Sequence, residues 1–424
     1  MRQRPAPYYG WIVLGVAFTI MVLGYAIRNT FSVFYPTIVE EFGWGRGGTA
    51  LMFSITILVY GFMAPLAGNL VDRFQPRVVL SAGAAVVGTG IALCSLANTQ
   101  WQFYLLYGVI TAIGLSMIGV TPLSAVTTNW FATRRGLMFG ILAAGFGLSL
   151  VSAPINQLLI SGFGWRSAYI IIGAFCSAII IPLCLLFMRH APQQPGQPGG
   201  LTRETERPAL SGAQQPADFS RRWDETEWTL RRALRTHQFW LLTANAFIVM
   251  GFTEQIVIAH QVYFLRDLGC QPMTAASIYG VFGIAFVVGN VGGLLSDRLG
   301  RERVFIPAVL LMAAAMSFLL FGVKDASQLW ILLTFAICFG LGQGAAPPAC
   351  MAAMADLFHG RYYGSIVGVM ILGSASGGAL GPWLAGVIHD MTGSYSTVLV
   401  AVVLSSVLSA ALMWLAAPRK IRPR

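Results

Sequence analysis

Twelve apolar runs, each near or above the roughly 20 residues that cross a hydrocarbon core, leave this chain few folds to choose from. They fall at residues 11–39, 49–71, 78–97, 104–128, 137–160 and 168–188, then at 239–265, 275–295, 304–323, 329–354, 366–387 and 397–417. Lipid offers no water to satisfy backbone N–H and C=O groups, so runs of this length must be helices. Only 10% of the 424 residues are charged and 56% are apolar, which excludes a soluble enzyme or binding module and fits a polytopic membrane protein. The 47 glycines suit helices that approach one another closely in lipid. The fold class read here is an all-α membrane protein with twelve transmembrane helices.

The chain is also duplicated. A G-x-L-x-D-R sequence from Gly68 to Arg73 recurs from Gly293 to Arg298, and basic residues follow both copies at Arg77 and at Arg301 and Arg303. Asp72 and Asp297 stand 225 residues apart, and other positions keep nearly that offset: Pro122 with Pro348, Gly136 with Gly364, Gly140 with Gly368, Pro154 with Pro382. The expected organisation is two pseudo-symmetric six-helix bundles, residues 1–188 and 238–424, joined by a polar linker at 189–237. Two equivalent membrane halves can rock about a shared central site, the geometry of alternating access in secondary transporters.

The net charge of +11 could suggest a nucleic-acid partner, but its distribution points to topology instead. With both termini on one side of the membrane, loops on that side carry 22 of the 27 Lys and Arg residues. The opposite loops hold Arg46, Arg166, Arg266 and Lys324. This bias predicts cytoplasmic termini in a cell (inner) membrane, with lipid rather than nucleic acid as the surrounding partner. The first apolar run is too long for a signal peptide and lacks a small-x-small site, so no leader is expected to be removed. In the linker, 193–200 is rich in Pro, Gln and Gly, and 224–235 mixes Trp228, Leu230 and Leu234 with Arg231, Arg232 and Arg235. That pattern predicts an amphipathic helix on the cytoplasmic surface. The six cysteines lie mostly inside spans, without Cys-x-x-Cys spacing, and read as small buried apolar residues.

Twelve spans in two repeats, with the D-R loop after spans two and eight, resemble the major facilitator superfamily over nearly the whole chain. In that superfamily the loop braces helices and gates the conformational change, which implies a gating role for Asp72, Arg73, Asp297 and Arg298. Tyr8-Tyr9-Gly10-Trp11, the stretch from Tyr25 through Arg28 to Phe34, and Glu41-Phe42-Gly43-Trp44 resemble the monocarboxylate transporter and oxalate/formate antiporter branch. Asn129 to Gly136 after span four and Asp390 to Tyr395 after span eleven support the likeness. In monocarboxylate transporters a basic residue occupies the place of Arg28. The chain departs from the branch in spans eight (275–295) and eleven (366–387), which carry no Asp, Glu, Lys or Arg. The relatives hold an acid–arginine pair, or basic residues, in those spans. A dicarboxylate needing two cations is therefore disfavoured, and a single carboxylate with an apolar body is expected.

Three ionisable side chains lie deep in apolar spans: Arg28, Glu254 and His260. Each costs about 2.5–3.5 kcal/mol even on the lenient insertion scale and so calls for a reason. An offset of 226 carries Arg28 onto Glu254, placing a cation and an anion at equivalent points of the two repeats. A guanidinium offers paired donors that match two carboxylate oxygens, so Arg28 is the expected anchor for an anionic substrate. Glu254 is the expected proton carrier, with His260 as a second candidate nearer the far end of its helix. The competing reading is a simple Arg28–Glu254 ion pair that holds the halves together. Tyr25, Phe31 and Tyr35 follow Arg28's helix at neighbouring positions, Gln261 lies one heptad from Glu254, and Tyr279, Phe282 and Gln343 sit in spans that could border the site.

The expectation is a proton-coupled secondary transporter of a small organic anion, acting as a monomer. Two others compete: an exporter of amphiphilic or cationic compounds anchored on Glu254, and a non-transporting membrane sensor. No span carries a His-Glu-x-x-His metal cluster or a Gly-x-Ser-x-Gly nucleophile turn, and no P-loop is present, so neither an enzyme nor a cofactor or metal is expected.

Overall fold

The computed structural model describes residues 7–128, 130–131, 135–189, 228–293, 295–322, 327–358, 360 and 362–416. Among these residues twelve spanning helices form two halves of six. The first half has α1 (Pro7–Phe42), α2 (Arg46–Arg73), α3 (Pro76–Leu93), α4 (Gln100–Thr128), α5 (135–163) and α6 (165–187). The second has α7 (His237–Asp267), α8 (Pro272–Gly293), α9 (Arg301–Gly322), α10 (Leu329–Leu357), α11 (Tyr363–Thr392) and α12 (Ser396–Ala416). Odd-numbered helices of the first half start at the end of the molecule where α1 begins, called the terminal end below. The opposite end is called distal below.

Local chemistry sets the boundaries. Pro76 opens α3, where its missing N–H costs nothing. Thr99 and Gln102 form a reciprocal capping box that starts α4. Helix α5 runs into α6 without a loop, but Gly164 has φ 76° and ψ 159°, a backbone region open to glycine and closed to side chains. The chain reverses there, close to where the apolar pattern paused.

With no hydrophobic force to press helices together inside lipid, close approach of backbones does much of the holding. A Cβ on Gly251 of α7 would lie 2.3 Å from the Ser374 carbonyl of α11, and one on Gly377 the same distance from the Phe247 carbonyl. The glycines of span eleven thus serve helix packing. Phe62, Phe321 and Leu404 point outward as a lipid face. Trp11, Trp240 and Trp414 are exposed near the terminal end and Trp101 and Trp330 near the distal end, as in the aromatic belts of membrane interfaces.

The linker departs from expectation. Residues 190–227 lie outside the described ones, and the described part of the expected 224–235 helix is a single turn, Leu230–Ala233, capped by Thr229. Trp228 is buried edge-on against Phe358 at the end of α10 rather than laid on a membrane surface. An apolar contact with the bundle was available to Trp228, and it outweighs the interfacial placement that the local pattern suggested.

Candidate functional site

Helix α7 passes through a wide π-helical stretch, Phe247–Thr253, and regains α geometry at Glu254. Such bulges recur at functional sites because they re-aim side chains and loosen backbone pairing. The Val249 carbonyl, inside the stretch, accepts from Gln343 Nε2 of α10 at 3.2 Å. The same Nε2 donates to Glu254 Oε2 at 2.9 Å. Gln255, the next residue on α7, donates from Nε2 to Glu254 Oε1 at 3.3 Å. Both carboxylate oxygens of Glu254 therefore accept from amides.

Arg28 of α1 reaches the same place from the other half. Its Nη2 donates to Gln255 Oε1 at 2.6 Å. Arg28 and Glu254 do come together, but not as a direct ion pair among the described residues: the Gln255 amide stands between them, acceptor toward the cation and donor toward the anion. Arg28 is 8% exposed, and its Nε has no hydrogen-bond partner among the described residues. A buried guanidinium donor left over is costly unless something else uses it. The guanidinium lies 5.6 Å from the ring centres of Tyr25 and Phe53, and Tyr107 holds the helix by donating to the Arg28 carbonyl at 2.6 Å. Beside Arg28 is a small pocket bounded by Gly24, Tyr25, Tyr60, Leu115, Ile118 and Gly119. The Tyr25 and Tyr60 hydroxyls sit 3.1 Å apart, and a hydroxyl pair uses only one of its two hydrogens on itself.

The other candidates divide by location. Phe31 is stacked between Tyr35 and Phe53 in the interior of the first half, away from the pocket. Tyr279 donates to the Ile258 carbonyl at 3.1 Å and stacks on Phe282, which packs on Phe286 and Phe339. Gln261, one heptad on from Glu254, is buried with neither amide atom hydrogen-bonded among the described residues.

Tyr35 and His260 belong to a second cluster at the distal end. His260 Nε2 faces the Pro382 carbonyl and Nδ1 faces the Tyr395 hydroxyl, each at 2.9 Å. A carbonyl can only accept, so Nε2 carries a proton, and in the neutral imidazole Tyr395 donates to Nδ1. Tyr35 donates to the Arg46 carbonyl at 2.8 Å and meets the rings of His260 and Tyr263 edge-on. Arg46 lies over the Tyr263 ring at 3.7 Å and pairs with Asp267 through both terminal nitrogens. Arg266 pairs with Glu40 across the halves at 3.0 Å, and Arg166 pairs with Glu41 within the first half. Arg46, Arg166 and Arg266 thus close or brace this end. Toward the termini, Gly140, Gly292, Gly364 and Gly368 face open space.

At the terminal end the second copy of the repeated loop is held by ion pairs. Asp297 pairs with Arg301, which also reaches Asp356 of α10 at 2.9 Å and Ser296 at 2.9 Å. Arg73 and Arg298 are exposed, and the Asp72 side chain lies outside the described ones. Sequence reading missed Gln255, Tyr60 and the pairing of Arg46 with Asp267. Gln255 had one available signal, a third consecutive polar residue in Thr253-Glu254-Gln255 within an apolar span.

Two halves of six helices around a buried polar seam define a membrane carrier built from two helical bundles. The sequence profile of the Major Facilitator Superfamily matches residues 16–294 and 247–424, and the chain belongs to that superfamily. Its relatives include monocarboxylate transporter 13 of Rattus norvegicus, 27% identical over 93% of this chain and 86% of that protein. Monocarboxylate transporter 2 of Homo sapiens is 26% identical over 98% and 86%. An uncharacterised MFS-type transporter of Bacillus subtilis, YcxA, is 26% identical over 93% and 91%. Among solved structures, a bacterial homologue of the human lysosomal transporter Spinster, crystallised inward-facing and unoccupied, superposes with a TM-score of 0.70 at 19% identity, covering 99% of this chain and 98% of that one. That likeness is one of fold. The protein is a multi-pass membrane transporter of this superfamily, related to the monocarboxylate transporters.

Proposed function

We propose that the protein moves a small organic anion with one carboxylate, coupled to protons, by alternating exposure of the Arg28 seam. The observation that carries this reading is the Arg28 guanidinium: buried, shared between the halves, and left with a free donor beside two tyrosine hydroxyls. A carboxylate placed there would satisfy Nε and take over from Gln255 at Nη2. Losing the cation's influence disfavours the Glu254 anion, so Glu254 would take up a proton as the substrate binds. The relatives named for monocarboxylates point the same way. An exporter of cations anchored on Glu254 is less well supported, because both Glu254 oxygens already accept from Gln255 and Gln343.

In this reading residues 1–188 and 238–424 move as two bodies tethered by 189–237, with the termini in the cytoplasm of a cell whose inner membrane holds the protein as a monomer. His260, Tyr35, Arg46 and Asp267 act as the distal gate, and Asp297 with Arg301 braces the terminal side. The D-R loop residues Asp72, Arg73 and Arg298 gate that same side. The test is uptake of labelled lactate, pyruvate and benzoate into proteoliposomes with and without an inward proton gradient, for wild type and Glu254→Gln. Gradient-driven uptake in wild type that Glu254→Gln loses is the expected result. Absence of flux for every carboxylate would sink the reading.

A further inference from the structure

The amide of Gln255 is held between two opposite charges, and its orientation is set by them. Oε1 faces Arg28 Nη2 at 2.6 Å, and Nε2 faces Glu254 Oε1 at 3.3 Å. The guanidinium has no acceptor and an ionised carboxylate has no donor, so only this orientation satisfies both neighbours. We propose that Gln255 is the positioning residue that couples the two sites: its amide turns over when Glu254 is protonated, and in turning releases Arg28 to the substrate. The inference rests on the carboxylate reading above and assigns the coupling to a residue that carries no charge.

Hydrogen-bond parity forces the turn. Each Glu254 oxygen accepts from an amide N–H, one from Gln255 and one from Gln343. A proton that enters along either of these contacts sets a donor against a donor, and the amide on that contact must rotate. Gln343 is tied a second time, since its Nε2 also bonds the Val249 carbonyl, so its rotation would orphan that carbonyl. Gln255 Nε2 has the longer contact to Glu254 and makes no second hydrogen bond among the described residues. The Gln255 amide is the one that gives. Rotated, it offers Oε1 to the protonated Glu254 and Nε2 to Arg28. Two donors then meet at the guanidinium, Arg28 leaves Gln255, and Nη2 joins Nε as a free donor for an arriving carboxylate. The balance is simple: one proton moves from water to Glu254, and no covalent bond other than O–H changes.

The groups that face Glu254 fit the scheme. Arg28 and Tyr25 come from α1, Tyr279 from α8 and Gln343 from α10. On the α11 side Gly378 lies against Gln255, where a Cβ would come within 3.0 Å of Gln255 Cγ. The titratable residues of α11 lie at its two ends, Tyr363 at the terminal end and His389 and Asp390 at the distal end.

The test uses the full-length protein in proteoliposomes with labelled lactate as probe, comparing two rates: accumulation driven by an inward proton gradient, and lactate–lactate exchange without one. Gln255→Met removes the amide at similar length, and the ratio of driven accumulation to exchange is expected to fall at least tenfold. A purely structural Gln255 would lower both rates together. Gln255→Glu gives Arg28 a permanent acceptor, and the KM for lactate is expected to rise at least tenfold. If wild type is gradient-driven and Gln255→Met keeps the wild-type ratio, the inference is overturned while the carboxylate reading stands. If wild-type flux ignores the gradient, or no carboxylate moves, the inference falls together with that reading.

Discussion

Asp390, at the end of α11, caps the first turn of α2 in the opposite half. Its Oδ1 accepts from the Arg46 backbone N–H at 2.9 Å and its Oδ2 from that of Gly47 at 2.8 Å. The residue before the helix, Gly45, has no side chain to do this, so the cap comes from the other half of the molecule. A carboxylate there also meets the positive end of the α2 dipole. Formation of the cap therefore depends on the distal faces being closed, and the same holds for the Arg46–Asp267 and Arg266–Glu40 pairs.

Replacing Asp390 by alanine should favour the distally open form. Losing a helix cap costs about 1 kcal/mol, which corresponds to roughly a fivefold change in the open-to-closed ratio. Spin labels at positions 101 and 330, exposed distal sites in opposite halves, would report it in a cysteine-replaced background. A longer-distance population that grows in Asp390→Ala is expected. Identical distance distributions in both proteins would refute the gate.

Arg28 should tolerate no neutral substitute. Arg28→Gln removes the charge and is expected to lower carboxylate transport at least 100-fold, about 2.7 kcal/mol or more of lost binding. Arg28→Lys keeps the charge but has no planar pair of donors to share between substrate and Gln255, so KM should rise about tenfold. Equal KM values for wild type and Arg28→Lys, read from initial rates of lactate uptake, would contradict the paired-donor role.

Proton coupling carries a sign that binding alone can test. If lactate binding brings one proton onto Glu254, lactate affinity must rise as pH falls, by up to tenfold per pH unit. In Glu254→Gln no proton can be taken up there, and the affinity should become nearly independent of pH. Titration of detergent-solubilised protein with lactate at several pH values measures both. A wild-type affinity that weakens on acidification would have the wrong sign.

Backbone contact between α7 and α11 makes a separate prediction about stability. Gly251→Val must push a side chain into the Ser374 carbonyl and should cost about 1–3 kcal/mol, visible as a lowered Tm. Gly140→Ala meets nothing within 4 Å and sits inside a helix, where alanine is favoured over glycine by about 0.5–1 kcal/mol. Its Tm should hold or rise. Comparable losses in the two variants would mean that helix packing at Gly251 is not tight.

Much of the fold was legible because lipid simplifies the problem. Run length gave twelve helices, and even the loop-free junction at Gly164 appeared as a pause in the apolar pattern. Arg28 and Glu254 stood out because charge in an apolar span is costly enough to be rare. Gln255 did not stand out, since a neutral amide in a span looks like ordinary packing and lies beside Glu254 rather than one turn away. Tyr60 was hidden for a similar reason: only the approach of α2 to α1 sets its hydroxyl against that of Tyr25.

The sequence by itself determined the membrane class, the twofold repeat, and the placing of one cation and one anion at equivalent points, because each of these is written in composition or spacing along one chain. The tertiary structure decided what stands between that pair, which amide each oxygen accepts from, and that Tyr35 and His260 belong to the distal cluster rather than beside Arg28. Those outcomes depend on distances between helices hundreds of residues apart, and periodicity along a single helix carries no information about the face a distant helix will present.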